Sequence, residues 1–539
     1  MDTHLSDLNE MIPAAKREPF FFGLLILIVI GLWAATLDAQ PKLIPGDMGR
    51  DLYAYHGTLE GKWPCRDYWW QYGPMMLFYY GFWMKVLGTS ILSVRVGLGV
   101  IYLMSSVIAF RILRLVASPG AAFLGALAFQ IRGLYFPYYT FNHEGAIPFL
   151  LLSIYFLWKY FYRSEWRYCL WGTISLAGMA LVKSNVGITS FSAFFLSLAL
   201  YEFWMRREGP SPMTPKRWLL LPALFLLLAG LPYLVMYSGY PLHYVDQCLT
   251  MRAIYKEPGY SVRTALIHLV LRFFLWERVR LAWVALFALF LLFGFLGFRR
   301  NPAGARERKV FYCIEASLFL YWLFNFTDYA LFGQYNRFDF WSVPLMILAC
   351  GLLGEWSRAL WNQRIHFLLA LMIFIGILTL PALSVCRAFA MRVPERYLDL
   401  PRGKVYVADE ELSTVRTIHD ASQYLFKNTR PGDRILGIPY LPIYAYLAGR
   451  DVALRELNLT TYDNVTDWQE NRMVRDLKNQ PVPFVVISNA DIGQFGVKYS
   501  VKLANYVKEN YELVETYGGP WKVKSPERFH AVQIWKRKS

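Results

Sequence analysis

FFFGLLILIVIGLWAATL, residues 20–37, is an uninterrupted apolar run near the start of the chain. As an α-helix it would span ~30 Å, the thickness of a bilayer's hydrocarbon core. Similar runs recur to about residue 385, and the 17% aromatic content suits a polytopic protein because tryptophan and tyrosine favour both bilayer interfaces. The sequence therefore predicts a polytopic α-helical membrane protein with about eleven transmembrane helices. The further candidate spans are 93–113, 119–137, 146–162, 168–182, 186–204, 218–237, 279–298, 310–330, 338–354 and 367–385.

Lysine and arginine are concentrated in alternate short loops, such as RSEWR at 163–167 and RRNPAGARERK at 299–309. Since such loops stay on the cytoplasmic side, we predict a cytoplasmic N-terminus, an extracytoplasmic C-terminus and no crossing by residues 75–88. The expected location is the inner (plasma) membrane of a bacterium. Because the net charge of +17 is spread over these loops, the expected partners are membrane lipids and not nucleic acid.

Charged residues become more frequent after residue 385, and helical and strand patterns alternate. Apolar residues at helical spacing in 413–429 predict a helix, whereas RILGI at 434–438 and PVPFVVIS at 481–488 predict buried strands. Such alternation is typical of a small α/β layer structure. We therefore predict a transmembrane module at 1–385 and a soluble α/β domain at 386–539 on the outer face.

GDMGRDLYAYHGTLEGKWPCRDYWWQYGP, residues 46–74, lies in the predicted first outer loop, 39–92, and crowds acids, arginines and aromatic residues at the membrane boundary. Asp47 and Asp51 are spaced so that their carboxylates would share one face of a short amphipathic helix on the membrane surface. Acids at such positions can simply cap a helix and complement its dipole. The charged and aromatic residues that follow, RDYWWQYGP at 66–74, favour a reaction site.

The order of these features resembles that of the GT-C type membrane glycosyltransferases. This superfamily uses polyprenyl-phosphate sugars and includes protein mannosyltransferases and lipid A aminoarabinose transferases. Besides the acid after the first helix, the similar segments are FNHEGAIP at 141–148, ALVKSNVG at 180–187, QYNRFDFWSVPLMIL at 334–348 and the tail segment 429–456. The acidic pair common in these families appears here as Asp47-Met48, with the next acid only at Asp51.

The resemblance implies an enzyme that moves a hexosyl or pentosyl group from a polyprenyl-phosphate donor to an acceptor hydroxyl at the outer face, with inversion. A carboxylate must accept the proton of the attacking hydroxyl, and Asp47 is the first candidate, followed by Asp51. The departing phosphate needs neutralisation by cations. Candidates for this role are Arg50, Arg66, Lys183 and Arg337. Lys183 could instead snorkel to the interface, and Arg337 could pair with a nearby aspartate.

Asp67 is a candidate for binding sugar hydroxyls, and Trp69, Trp70 and Tyr72 are candidates for stacking on a sugar ring or on the lipid. The two tryptophans could equally belong to an aromatic belt at the membrane interface.

A divalent cation is a candidate cofactor. Carboxylates from separate loops, such as Asp47 and Glu144, suit Mg²⁺, whereas His143 would also allow Zn²⁺ or Mn²⁺. Glu144 could also be an ordinary acid near a helix start.

Two other classes of protein stay open: a ligase or polymerase of lipid-linked glycans, and a transporter or flippase of lipid-linked sugars. A transporter would be expected to carry more polar groups within its spans. The acceptor, whether glycan, lipid or protein, is not specified by the sequence.

Overall fold

The structure is a computed structural model. It describes residues 14–135, 141–205, 212–238, 305–332, 385–407, 412–457, 467–489, 501–521 and 530–538, with isolated positions at 375, 379 and 382–383. The predicted spans 279–298 and 338–354, and most of 367–385, lie outside the described residues.

Most of the described residues up to residue 332 are helical. They are α1 (Ala14–Thr36), α2 (Asp47–Leu59), α3 (Met75–Leu87), α4 (Ile91–Leu113), α5 (Pro119–Tyr135), α6 (Phe141–Glu144), α7 (Ala146–Arg163), α8 (Trp166–Val182), α9 (Ser184–Met205), α10 (Pro215–Tyr237) and α11 (Ala305–Phe332). Among the described helices, α1, α4, α9 and α10 are long and apolar enough to cross a membrane. Leu219, Leu226 and Leu234 of α10 are 73%, 67% and 70% exposed, as suits a helix whose apolar side chains face lipid.

The turn between α8 and α9 contacts the segment that precedes α3. Lys183 alone separates the two helices. They approach closely at Gly187, where a Cβ atom would overlap the backbone of Ala180. The Gly73 N–H donates to the Val182 carbonyl at 3.1 Å. The Lys183 turn therefore lies beside the end of the aromatic segment 69–73.

The remaining elements are β1 (Ala39–Gln40), β2 (Tyr406–Val407), α12 (Leu412–Asn428), β3 (Arg434–Ile438), α13 (Pro442–Leu447), β4 (Asp451–Val452), α14 (Asp467–Asn479), β5 (Phe484–Ser488), α15 (Val501–Asn510), β6 (Tyr511–Gly518) and β7 (Ala531–Arg537). The C-terminal part is built on a mixed five-stranded sheet with the strand order β4-β3-β5-β7-β6. Strand β3 is parallel to β4 and β5, whereas β7 is antiparallel to β5 and β6. A parallel pair of two-residue strands, β1 and β2, joins the loop after α1 to this part of the chain.

Helix α2 differs from the predicted surface helix, because every residue from Met48 to Gly57 is buried. It packs against α3 on one side and α13 on the other. Glycines allow the second contact: a Cβ atom on Gly49 would overlap the backbone nitrogen of Ile443, and one on Gly46 would lie 2.5 Å from a ring carbon of Tyr440. The two ends of the chain therefore meet at α2.

We expect Gly49→Ala to destabilise the protein, because the added methyl group meets backbone that cannot rotate away. Overpacking of this kind typically costs ~1–3 kcal/mol. The measurement is the apparent unfolding temperature of the purified protein in detergent.

Gly57→Ala is the matched control on the same helix. Its Cβ would lie 3.5 Å from the side chains of Lys62 and Tyr68, an ordinary contact, and alanine favours a helix over glycine by up to ~1 kcal/mol. Equal unfolding temperatures for the two variants would contradict the close packing of α13 against α2.

Candidate active site

The first turn of α2 holds an ionic cluster of two acids, one arginine and one tyrosine. The N-cap residue is Gly46, and no side chain caps the helix. Instead, Asp47 Oδ1 accepts hydrogen bonds from Arg50 Nη1 at 3.0 Å and from the Tyr440 hydroxyl at 2.8 Å. Arg50 Nη1 also donates to the Tyr440 oxygen at 2.9 Å. The Asp47 carboxylate is therefore held by side chains and does not act as a helix cap.

Asp51 binds the other edge of the same guanidinium group. Its Oδ1 accepts from Arg50 Nε at 2.9 Å and from Nη2 at 2.7 Å. Asp51 and Arg50 are fully buried, whereas the Asp47 side chain is 38% exposed. The two predicted acids therefore differ in access, and Asp47 is the one that a substrate could reach.

The charge of Arg50 is fixed by its neighbours. Burial alone would lower the pKa of Arg50, but Asp51, Tyr440, Tyr72 and Asp47 raise it well above its ordinary value. The guanidinium group is therefore a permanent positive charge between the two carboxylates.

Aromatic residues of the segment 69–72 surround this guanidinium group. Arg50 Cζ lies 4.9 Å from the ring centre of Tyr72, 5.8 Å from that of Trp70 and 5.9 Å from that of Trp69, within the range of cation–π attraction. Trp69 is 6% exposed and Trp70 is fully buried, with its indole N–H donating to the Gly73 carbonyl at 3.1 Å. Within this structure both tryptophans are packed side chains rather than a peripheral belt.

The second predicted outer loop lies beside the same aromatic group. The rings of Tyr72 and His143 have centres 5.1 Å apart. Glu144 is buried, and together with Asp51 it acts on the phenol of Tyr80, whose pKa is raised by burial first and then by Tyr79, Glu144 and Asp51. The structure therefore brings His143 and Glu144 close to the α2 cluster.

Arg66 and Asp67 form a separate surface pair in the turn before the tryptophans. Arg66 Nη2 donates to Asp67 Oδ2 at 2.9 Å, and the Trp63 N–H donates to the same oxygen at 2.7 Å. The pKa of Asp67 is raised by partial burial but lowered more by Arg66 and the Trp63 N–H, so it lies below its ordinary value. Arg66, with 59% of its side chain exposed, is open to solvent.

Lys183 is buried at the α8–α9 turn beside Gly73. Arg337 lies outside the described residues. Across the described ranges, no three His, Cys, Asp or Glu side chains are grouped to hold a metal ion. Asp47, His143 and Glu144 therefore do not form a ready metal site there, and the divalent cation stays a prediction.

Two residues of this site, Tyr440 and Tyr55, were not predicted from the sequence, whereas Trp69 was. Tyr440 lies 393 positions from Asp47, and no spacing pattern links the two. The Tyr55 hydroxyl and the Trp69 indole N–H are buried and have no hydrogen-bond partner among the described residues. Because an unsatisfied buried donor typically costs ~1–3 kcal/mol, these two groups are candidates for donating to a ligand.

His56, near the other end of α2, joins the helix to the C-terminal part of the chain. Its Nε2 lies 2.7 Å from Arg402 Nη2 and 2.9 Å from Glu60 Oε1. Burial and the Arg402 charge lower the pKa of His56 to about 4, and they outweigh Glu60, which acts in the opposite direction. The ring is therefore neutral near neutral pH and accepts from Arg402.

Comparisons with known proteins agree with the fold. Residues 71–235 match the family model of dolichyl-phosphate-mannose-protein mannosyltransferase. The crystal structure of ArnT from Cupriavidus metallidurans bound to undecaprenyl phosphate is similar, with a TM-score of 0.56 and 13% identity over 95% of this chain and 97% of that one. Its apo state gives a TM-score of 0.58 and 11% identity over the same shares of the two chains. None of the curated protein sequences matches this chain significantly.

These matches confirm the resemblance to the GT-C type membrane glycosyltransferases, and the protein is an integral membrane protein with an ArnT-like helical fold. At 13% identity, the structural likeness concerns the fold. The family match begins at Gln71 and so leaves out the ionic cluster at the start of α2.

The buried neutral His56 predicts a loss of stability in acid. Its pKa is about 4 in the folded protein, below the ordinary 6.5, so the unfolded chain binds a proton first as the pH falls. The stabilisation is complete above pH ~6.5 and is lost as the pH falls through about 4. It amounts to on the order of 3 kcal/mol. We expect His56→Gln to flatten the pH dependence of the unfolding temperature within this window.

The matched control is His419→Gln, which removes an imidazole that contacts Asp420 at 2.9 Å and is only partly buried. This variant should keep the acid sensitivity of the wild type. Equal pH profiles for His56→Gln and the wild type would contradict the assignment of a neutral ring.

Proposed function

We propose that this protein moves a hexosyl or pentosyl group from a polyprenyl-phosphate donor to an acceptor hydroxyl, with inversion at the anomeric carbon. The resemblance to GT-C enzymes supports the reaction class, and the undecaprenyl phosphate bound by ArnT supports the donor class. A glycan, a lipid or a protein could supply the hydroxyl.

The observation that carries this proposal is the partly exposed Asp47 carboxylate in the ionic cluster of α2. An alcohol is a weak nucleophile at neutral pH, so its proton must be accepted as it attacks; such general-base help is worth ~10²–10⁴ in rate. Asp47 is accessible, and hydrogen bonds from Arg50 and Tyr440 fix the position of its carboxylate. We assign it as the base.

Asp51 takes a different role in this proposal. Its buried carboxylate holds Arg50 through two N–H groups. It therefore acts as a positioning residue that fixes the arginine, and through it the base. Their difference in exposure supports ranking Asp47 before Asp51 as the base.

In the reaction, the acceptor oxygen forms a bond to the anomeric carbon while the bond from that carbon to the phosphate oxygen breaks. The acceptor proton passes to Asp47, and polyprenyl phosphate leaves with the bonding electron pair. Because attack and departure occur on opposite faces of the carbon, one displacement inverts its configuration.

The leaving phosphate needs more positive charge than the α2 cluster offers. Asp47, Asp51 and Glu144 are acids near the site, and the four Arg50 hydrogen bonds given above go to Asp47, Asp51 and Tyr440. Lys183, Arg66, Arg337 or a divalent cation would supply the additional charge. Sugar hydroxyls would find donors or acceptors at Tyr55, Trp69 and Asp67, while Tyr72 and Trp70 support the site by packing.

We further propose that the reaction takes place at the outer face of the membrane. The distribution of basic loops supports a cytoplasmic N-terminus and an extracytoplasmic C-terminal part. The contact between α2 and α13 supports placing the site and the C-terminal part on one side of the bilayer.

The test measures transfer of radiolabelled sugar from a panel of polyprenyl-phosphate sugars in membranes that contain wild type or Asp47→Asn. We expect transfer by the variant to fall ~10²–10⁴-fold while donor binding survives, because asparagine keeps the shape but cannot accept the proton. A chelator arm in the same assay tests the divalent cation.

Glu60→Gln is the matched control, since it neutralises a carboxylate of similar exposure at the other end of α2, 42% against 38%. It should retain transfer. Full activity of Asp47→Asn would refute the base assignment. No transfer by folded wild type from any donor, with acceptor present, would favour a ligase, a polymerase or a transporter.

A further inference from the structure

Tyr440 reaches the ionic cluster from the C-terminal part of the chain. It lies between β3 and α13, and its hydroxyl donates to Asp47 Oδ1 at 2.8 Å while accepting from Arg50 Nη1 at 2.9 Å. The oxygen thus closes a ring of three hydrogen bonds with these two side chains.

The protonation state of Tyr440 suits this arrangement. The pKa of the phenol is raised by burial and by Asp47 and Asp51, which together outweigh the opposing effect of Arg50. The hydroxyl therefore keeps its proton at neutral pH and donates it toward the carboxylate.

The position of Tyr440 is fixed by the packing of α13 against α2. All six residues of α13, from Pro442 to Leu447, are buried. Gly46 leaves room for the Tyr440 ring, and Gly49 leaves room for the backbone at Ile443. Small residues therefore occur at the two points where a side chain would push the hydroxyl away from Asp47.

Further contacts tie the C-terminal part to the same outer segment. Lys62 pairs with Asp451 of β4. The backbone N–H of Trp69, one of the two tryptophans beside Arg50, donates to the Arg455 carbonyl at 2.9 Å. These bonds hold β4 and the following loop beside the site, so the hydroxyl of Tyr440 is not an isolated contact.

From this geometry we infer that the C-terminal part of the chain contributes Tyr440 as a positioning residue, which orients the Asp47 carboxylate and locks Arg50 against it. This inference rests on the proposed function. It extends that function by making the active site depend on residues from both ends of the chain.

The test is Tyr440→Phe, which keeps the ring against Gly46 and removes only the hydroxyl. A hydrogen bond to a charged group is worth enough to change a rate ~10- to 100-fold, so we expect kcat to fall by about that factor with KM for donor and acceptor unchanged.

Tyr446→Phe is the matched control. This tyrosine is also buried on α13, but its hydroxyl has no hydrogen-bond partner among the described residues. It should leave kcat and both KM values unchanged, and unfolding temperatures of both variants establish that the fold is intact.

A third measurement separates positioning from a general structural effect. In the Asp47→Asn background, Tyr440→Phe should cause little further loss, because its effect passes through Asp47. Wild-type kcat in folded Tyr440→Phe, or full additivity with Asp47→Asn, would overturn the inference while leaving the transferase proposal in place. An inactive wild type would instead remove the proposed function itself.

Discussion

The buried guanidinium group of Arg50 is the constraint on which the rest of the site depends. A charge removed from water costs several kcal/mol unless it is paired and hydrogen-bonded. Arg50 meets this demand with Asp51 on one edge, Asp47 and Tyr440 on the other, and the ring of Tyr72 nearby. These partners come from distant parts of the sequence, so satisfying one buried charge fixes where α2, the aromatic segment and α13 must lie. Removing either carboxylate would leave charge uncompensated rather than simply delete a contact.

This requirement explains why α2 is covered by protein. Gly46 and Gly49 let Tyr440 and the start of α13 approach α2 closely. Together with the aromatic segment 69–72, they cover Arg50. Excluding water strengthens each hydrogen bond in the cluster, because the local dielectric is lower than that of the solvent. Asp47, at the edge of the cluster, is the acid that stays exposed to solvent. The same packing therefore buries Arg50 and leaves the proposed base accessible.

Local sequence signals predicted much of the fold. The apolar run 20–37 falls in α1 apart from its last residue, the helical spacing in 413–429 matches α12, and RILGI coincides with β3. Each of these depends on neighbours within a few turns. Burial of α2 and the role of Tyr440 could not be read in the same way, because both arise from contacts between positions almost 400 residues apart. The acids were identified by type and spacing, but their division into an accessible and a buried carboxylate required the partner surfaces.

Under the proposed function, one site must hold both the carboxylate base and the cations that neutralise the leaving phosphate. Arg50 already occupies Asp47 Oδ1 through a hydrogen bond of 3.0 Å. A further cation for the phosphate would therefore have to lie elsewhere. Lys183 instead lies at the α8–α9 turn, which meets the aromatic segment at Gly73. With Tyr72 and Gly73 between them, positive charge for the leaving phosphate can act at a distance from the base, so that each end of the displacement keeps its own electrostatic environment.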